Sequence, residues 1–194
     1  MSAKSVLYMS MSLDGYIAGP NDNPGNPGGD GFMRLHDWFT GPDGQIRRPH
    51  GPAGALVDDM YGYGAVVAGR NTVEQVDHWG GERHGVPIIV PSHRPPGPSV
   101  ANYPKVKYVS DGIASAMAQA KAAAGDRFVL VHGAYTAQRA LEADVLDELQ
   151  IHQIPVLFGG GKRMFDILPS RIELDIVNVI DTPEATHIRY RVRR

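Results

Sequence analysis

VLVHGAYTAQRALEADVLDELQIHQIPVLFGGGKRMFD, residues 129–166, is the stretch on which the fold turns. It continues the apolar run RFVLV, 127–131, which has the length of a buried strand. The chain then passes through His132-Gly133-Ala134 into YTAQRALEA, 135–143, a helical pattern. ELQIHQIPVLF, 148–158, reads as the next strand, with Pro155 marking an edge, a bulge or a bend. The glycine triplet 159–161 precedes KRMFDIL, 162–168, read as a short helix. Strand, glycine turn, helix and strand in this order are the parts of a parallel sheet with covering helices.

The same alternation extends outward from this block. AVVAG, 65–69, is a strand that runs into a helix beginning Arg70-Asn71-Thr72-Val73-Glu74-Gln75. PIIV, 87–90, and VKYVS, 106–110, are further strands. ASAMAQAKAAA, 114–124, has high helix propensity and a stop at Gly125. KSVLYMSM, 4–11, supplies the first strand, and FMRLHDWF, 32–39, has the pattern of a short amphipathic helix. IELDIVNVI, 172–180, and THIRYRV, 186–192, joined by Asp181-Thr182-Pro183-Glu184, predict an antiparallel hairpin at the edge of the sheet. The expected architecture is therefore α/β, with a mostly parallel central sheet, in a single domain over 1–194. Two Gly/Pro-rich loops, 19–31 and 41–54, are long for connections in a compact domain, and the first is read as a lid.

Composition bounds the function. The 21 acidic and 19 basic residues give a net charge of −2, which argues against nucleic-acid or membrane-surface partners. No run nears the roughly 20 apolar residues of a spanning helix, and no secretory signal stands at the start, so a cytoplasmic location is expected. With no cysteine, thiolate zinc sites, iron–sulfur clusters and cysteine nucleophiles are excluded together. The eight histidines show neither HxxxH nor HExxH spacing, and no metal is expected. There is no GxSxG to support a serine hydrolase.

Chemistry concentrates where strands turn into helices. Gly69, Arg70, Asn71 and Thr72 form one such turn, suited to a phosphate through free amides, a hydroxyl and a guanidinium. Ser92, His93 and Arg94 follow the strand at 87–90, on the edge where open α/β sheets bind ligands, and suit a 2′-phosphate. His132-Gly133-Ala134 opens a helix and suits a pyrophosphate. GYGAVV, 62–67, precedes its strand and so is no dinucleotide fingerprint, and FGGGKR, 158–163, lacks P-loop spacing. Asp14 and Asp37 are the carboxylates available as proton donors. Tyr16, Phe32, Trp38 and Phe158 are the aromatic candidates to wall a planar ring.

MSLDGYIAGPND at 11–22, VVAGRNTVEQV at 66–76 and the 129–166 block together resemble the dihydrofolate-reductase-like superfamily. They are most similar to its branch containing the reductase domain of the bifunctional riboflavin-biosynthesis deaminase–reductase. The resemblance implies a three-layer fold with helices on both faces of the sheet, NADPH as cofactor, hydride transfer to a C=N carbon of a small-molecule substrate, and a homodimer. It places NADPH phosphates on Gly69, Arg70, Asn71 and Thr72, and the 2′-phosphate on Ser92, His93 and Arg94. The pyrophosphate falls to Gly133, Ala134, Tyr135 and Thr136, and the nicotinamide to Ile17 and Ala18. Asp14, Trp38, Phe158 and Gly159 fall at the substrate. Leu35 occupies the place of the acid that grips the pterin in dihydrofolate reductases. The Thr-Val-x-x-Asp-Asp-Pro pattern of riboflavin reductases is not continued after Thr72-Val73. The substrate implied is 5-amino-6-(5-phosphoribosylamino)uracil; the alternatives are an orphan reductase of the family acting on another pterin-like or carbonyl substrate, and a non-catalytic nucleotide-binding dimer.

Overall fold

Residues 3–166 and 168–194 are described by a computed structural model. Eight strands form one mixed, mostly parallel sheet, in the order β5-β4-β3-β6-β1-β7-β10-β9. These are β1 Ser5–Ser12, β3 Tyr63–Ala68, β4 Ile88–Pro91, β5 Val106–Val109, β6 Phe128–His132, β7 Glu148–Ile154, β9 Leu174–Asp181 and β10 Thr186–Val192. A small separate pair joins β2, Tyr16–Ala18, to β8, Lys162–Arg163. The chain falls into two compact units. The first comprises the residues up to Leu7, 63–148 and Arg194; the second comprises 8–62 and 149–193.

In the first unit β3 pairs in parallel with β4 and β6, β4 with β5, and β6 with the start of β1. Every residue of β3 is buried, and β6 carries Val129, Leu130 and Val131 into the core. Continuous apolar strands of this kind belong to a parallel sheet covered by helices. Each fully buried valine or leucine of these strands contributes about 1.5–3 kcal/mol. The helices here are α2 Arg70–Gln75, α3 Ile113–Ala124 and α4 Ala134–Glu142. α3 buries Ala116, Ala120 and Ala124, small residues that allow close packing, together with Met117. Gly64 of β3 is required for it: a Cβ there would stand 2.4 Å from the Ala124 carbonyl oxygen.

In the second unit β9 and β10 form the expected antiparallel hairpin, with a bulge between Arg189 and Tyr190. Its core gathers Leu35, Trp38, Leu56, Val57, Ile154 and Ala185, with Phe32 and Phe158 packed alongside. Leu56 and Val57 come from α1, Pro52–Met60, so the second Gly/Pro-rich loop ends at Gly51 rather than at 54. Pro52 explains this, since it occupies the first turn, where no amide is needed. The expected helix over 32–39 is only a 3-10 turn, Phe32–Leu35. Phe32, Leu35 and Trp38 all face the core cluster, and spacing by three is the 3-10 period, not the α period. β7 stops at Ile154, one residue before Pro155. The expected short helix over 162–168 does not form in its described residues. Lys162 and Arg163 pair with β2 instead, and the Met164 amide donates to the Gly15 carbonyl at 2.8 Å. The loop 19–31 is braced internally: Gly19 donates to Gly28, Asp30 to Pro20, and the Asn21 and Asn26 amides to the Asp30 carboxylate.

Candidate functional site

The first unit sets two glycine turns side by side. β3 and β6 are neighbours, and Ala68 is in register with His132, so Gly69 and Gly133 follow at the same level. Gly69 is the N-cap of α2 and Gly133 the N-cap of α4; neither helix start receives a side-chain cap. Helix-start amides without an internal partner favour anions. The threonines interlock. A Cβ on Gly69 would meet Thr136 Oγ1 at 2.8 Å, and one on Gly133 would meet Thr72 Oγ1 at 3.1 Å. Each hydroxyl thus lies over the other helix's turn, where only glycine leaves room. Gly133 also sits at φ 95°, a left-handed conformation that favours glycine. Around this pair Asn71 is exposed, Thr72 half-buried, Ala134 and Thr136 buried, and Tyr135 exposed at 71%.

Arg70 departs from expectation. Its Nη1 donates to the carbonyls of Arg94 and Pro95 at 3.1 and 2.8 Å, and its Nε lies 2.7 Å from Glu74 Oε1. Because these groups already engage it, it braces the 92–95 loop rather than reaching for a phosphate at its own turn. Ser92 completes that brace, accepting from the Arg94 amide and donating to the Arg94 carbonyl. His93 and Arg94 are left exposed on the shaped loop.

A third element escaped the sequence reading. Asp77, His78, Trp79 and Gly80 all adopt positive φ. Tyr103 donates to Asp77, and His78 Nε2 meets the Tyr108 hydroxyl at 2.9 Å, which pins this turn. It delivers Trp79 edge-on to His132, with the Arg83 guanidinium 4.4 Å over the indole. The doubled glycine after Trp79 was the one available signal.

In the second unit Asp14 ties a knot. Its carboxylate accepts from Ser12 Oγ at 2.6 Å and from the amides of Phe158 and Gly159 at 3.0 and 2.8 Å. Arg163 Nη1 donates to the Asp14 carbonyl, and its guanidinium lies over the Tyr16 ring. The Ser12 hydroxyl, joined by the Gly159 and Phe158 amides against an opposing push from burial, holds the Asp14 carboxyl at about 2. A group so acidic carries no proton near neutrality, so the expectation that Asp14 donates one is corrected: it fixes the 158–159 turn. Asp37 is corrected too. It is exposed and lies 3.6 Å from the half-buried Arg34, a solvent-facing pair. Trp38 is not a ligand wall, being 5% exposed with its Nε1 bonded to Ser10 Oγ. Phe158 is half-buried and Gly159 exposed. Ile17 and Ala18 are buried in β2, where the glycine triplet passes close by: a Cβ on Gly161 would stand 2.1 Å from the Ala18 carbonyl. Among the described residues no group of three or more His, Asp or Glu is placed to hold a metal, and no helix is long and apolar enough to cross a membrane.

A mostly parallel sheet with an antiparallel edge hairpin and paired glycine turns is the arrangement of the dihydrofolate-reductase-like fold. The match to solved structures bears this out. A protein named for riboflavin biosynthesis from Shewanella sp. PV-4 superposes with a TM-score of 0.75 at 24% identity, each chain covered in full. Dihydrofolate reductase from Enterococcus faecalis, solved with NADP(H), superposes at 0.59 with 15% identity, also over 100% of both chains. The Thermotoga maritima diaminohydroxyphosphoribosylaminopyrimidine deaminase/5-amino-6-(5-phosphoribosylamino)uracil reductase gives 0.61 at 15% identity, over 99% of this chain and 57% of its own. Residues 3–188 match the RibD C-terminal domain, and the chain belongs to that family.

Proposed function

We propose that this protein is an NADPH-dependent reductase that transfers hydride to a C=N or related carbon of a small heterocycle. The observation that carries this reading is the pair of uncapped glycine turns with interlocked Thr72 and Thr136. That cradle suits the phosphates of a dinucleotide, and a relative of the same fold was solved with NADP(H). NADPH, when bound, supplies the hydride. Gly69, Thr72, Gly133 and Thr136 would hold its phosphates, Arg94 with His93 its 2′-phosphate, and Ile17 and Ala18 would face the nicotinamide. Phe158 and Gly159, fixed by Asp14, would border the substrate. No proton passes through Asp14, so the proton that completes the reduction comes from water or from the substrate's own acidic groups. The first substrate to test is 5-amino-6-(5-phosphoribosylamino)uracil, on the strength of the family. We also propose a homodimer, supported by the exposed Ile176, Val177 and Val179 on the edge strand β9.

Titration with NADPH and NADH by calorimetry tests the cofactor. Micromolar NADPH binding with much weaker NADH binding is expected, and no binding of either overturns the reading. The second reading, a nucleotide-binding dimer without turnover, is favoured by the absence of a protonated acid at Asp14. NADPH oxidation under a panel of C=N and carbonyl substrates separates the two.

A further inference from the structure

Two histidines of the second unit form a pair that the proposed chemistry does not use. β7 carries His152 and β10 carries His187 into the interior, each 1% exposed. Their Nδ1 atoms stand 2.7 Å apart. Two neutral imidazoles at that distance need one protonated and one bare Nδ1. The far side of His187 decides which. Its Nε2 lies 3.3 Å from Thr182 Oγ1. That hydroxyl donates to the Ala185 carbonyl at 2.9 Å and accepts from the Ala185 amide at 3.2 Å. With its one proton given away, Thr182 can only accept from His187. His187 therefore carries its proton on Nε2, and His152 donates through Nδ1. The Nε2 of His152 is left as a bare lone pair, with no donor among the described residues. The reverse assignment would bury an N–H without an acceptor.

Trp38 rests on both rings. Its centroid is 4.4 Å from His152 and 4.7 Å from His187. The segment carrying it is itself a chain of rings, Phe32 to His36 at 4.5 Å and His36 to Phe39 at 5.6 Å. The other titratable groups around the pair pull in different directions. Tyr8 of β1 lies 6.0 Å from His152, ring to ring, and is bonded to Asp59 of α1 and Arg189 of β10. His36 disfavours charge on His152, while Asp181 of β9 and Glu184 of the hairpin turn favour it on His187. Burial outweighs them and pushes both imidazoles below their usual range, His152 furthest.

We propose that the His152–His187 pair is an acid-sensitive latch whose protonation separates the two rings and releases Trp38, with its 32–40 segment, from the core of this unit. An added proton has two places to go. On His152 Nε2 it is a buried charge with no acceptor. On His187 Nδ1 it meets the His152 N–H head-on. Separation relieves both. Because the folded pair is held neutral, its stabilising contribution is full above the unfolded histidine value of about 6.5 and is lost as pH falls below it.

Trp79→Phe leaves Trp38 as the one indole of the two in the chain, and its emission is followed with pH. A transition between about pH 6 and 4 is expected while far-UV circular dichroism stays native. His152→Leu, which fills the apolar pocket, should abolish that transition or move it down by about one pH unit or more. Emission that is flat to pH 4, that changes only with global unfolding, or that is unmoved by His152→Leu overturns the proposal. Long-range nitrogen–proton NMR on the unsubstituted protein at pH 7 gives an independent check. It should show the Nδ1–H form for His152 and the Nε2–H form for His187; any other pair of tautomers also overturns the latch.

Discussion

The two units place polar groups beside glycine turns in opposite ways. In the first, the Gly69 and Gly133 turns are built from backbone, and their helix starts receive no side-chain cap. In the second, the turn at 158–159 is closed by the Asp14 carboxylate, which takes both amides itself. The first unit leaves its two helix starts open to an anion, as proposed for the phosphates, whereas the second already has a carboxylate in place. The lesson is that a carboxylate beside a glycine turn is not a catalytic acid by position alone: what donates to it decides.

The largest expected effect comes from filling the cradle. Gly133→Val adds a side chain at φ 95° and drives its Cβ to 3.1 Å from Thr72 Oγ1. Strain of about 1–3 kcal/mol, together with the lost room, should weaken NADPH and NADH alike by roughly 100-fold. Calorimetric titration reads this directly, and unchanged affinity would remove the phosphate role of the turn. Arg94→Ala should be smaller and selective. A charge-assisted contact is worth about 1.5–3 kcal/mol, and exposure favours the low end, so roughly a tenfold loss is expected for NADPH and none for NADH. Equal losses for the two cofactors would break the 2′-phosphate assignment. Arg70→Gln should cost only about threefold, again for NADPH alone, because Arg70 shapes the Arg94 loop from behind. An effect equal to that of Arg94→Ala would mean that Arg70 touches the phosphate after all.

Legibility in the sequence followed the same division. The first unit was readable because its signals are local. Apolar runs ending in Gly69 or Gly133 and followed by helical residues describe a strand, a turn and a helix without reference to anything distant. Even there, Arg70 was misplaced, since its partners lie at 94 and 95, and the left-handed turn at 77–80 depends on Tyr103 and Tyr108. In the second unit most decisive contacts are non-local. Asp14 meets residues 158 and 159, Trp38 meets Ser10, His152 and His187, and Lys162 and Arg163 pair with β2. Single-residue chemistry suggested an acid and a ring wall at Asp14 and Trp38. Only the long-range partners show that one is satisfied and the other buried.

Asp14→Asn has the smallest expected effect on rate and is the sharpest test of the contrast between the units. If Asp14 delivered a proton, its loss would remove a limb of the pH–rate profile and cost about 100-fold or more in kcat. With its carboxyl held at about 2, Asp14 is ionised throughout the working range, so the profile between pH 5 and 9 should keep its shape. The asparagine retains an acceptor for one of the Phe158 and Gly159 amides, so kcat should fall by less than about threefold. Stability should carry the signature instead. A carboxyl depressed in the folded state contributes stability above the unfolded value of about 3.9 and loses it as pH falls towards 2. Thermal unfolding should therefore find Asp14→Asn weakened at pH 7, with the gap to the parent narrowing below about pH 4. A gap that stayed constant into acid would mean that the carboxylate's charge does not hold the 158–159 turn, and the contrast between an open anion cradle and a filled one would fail on its second half.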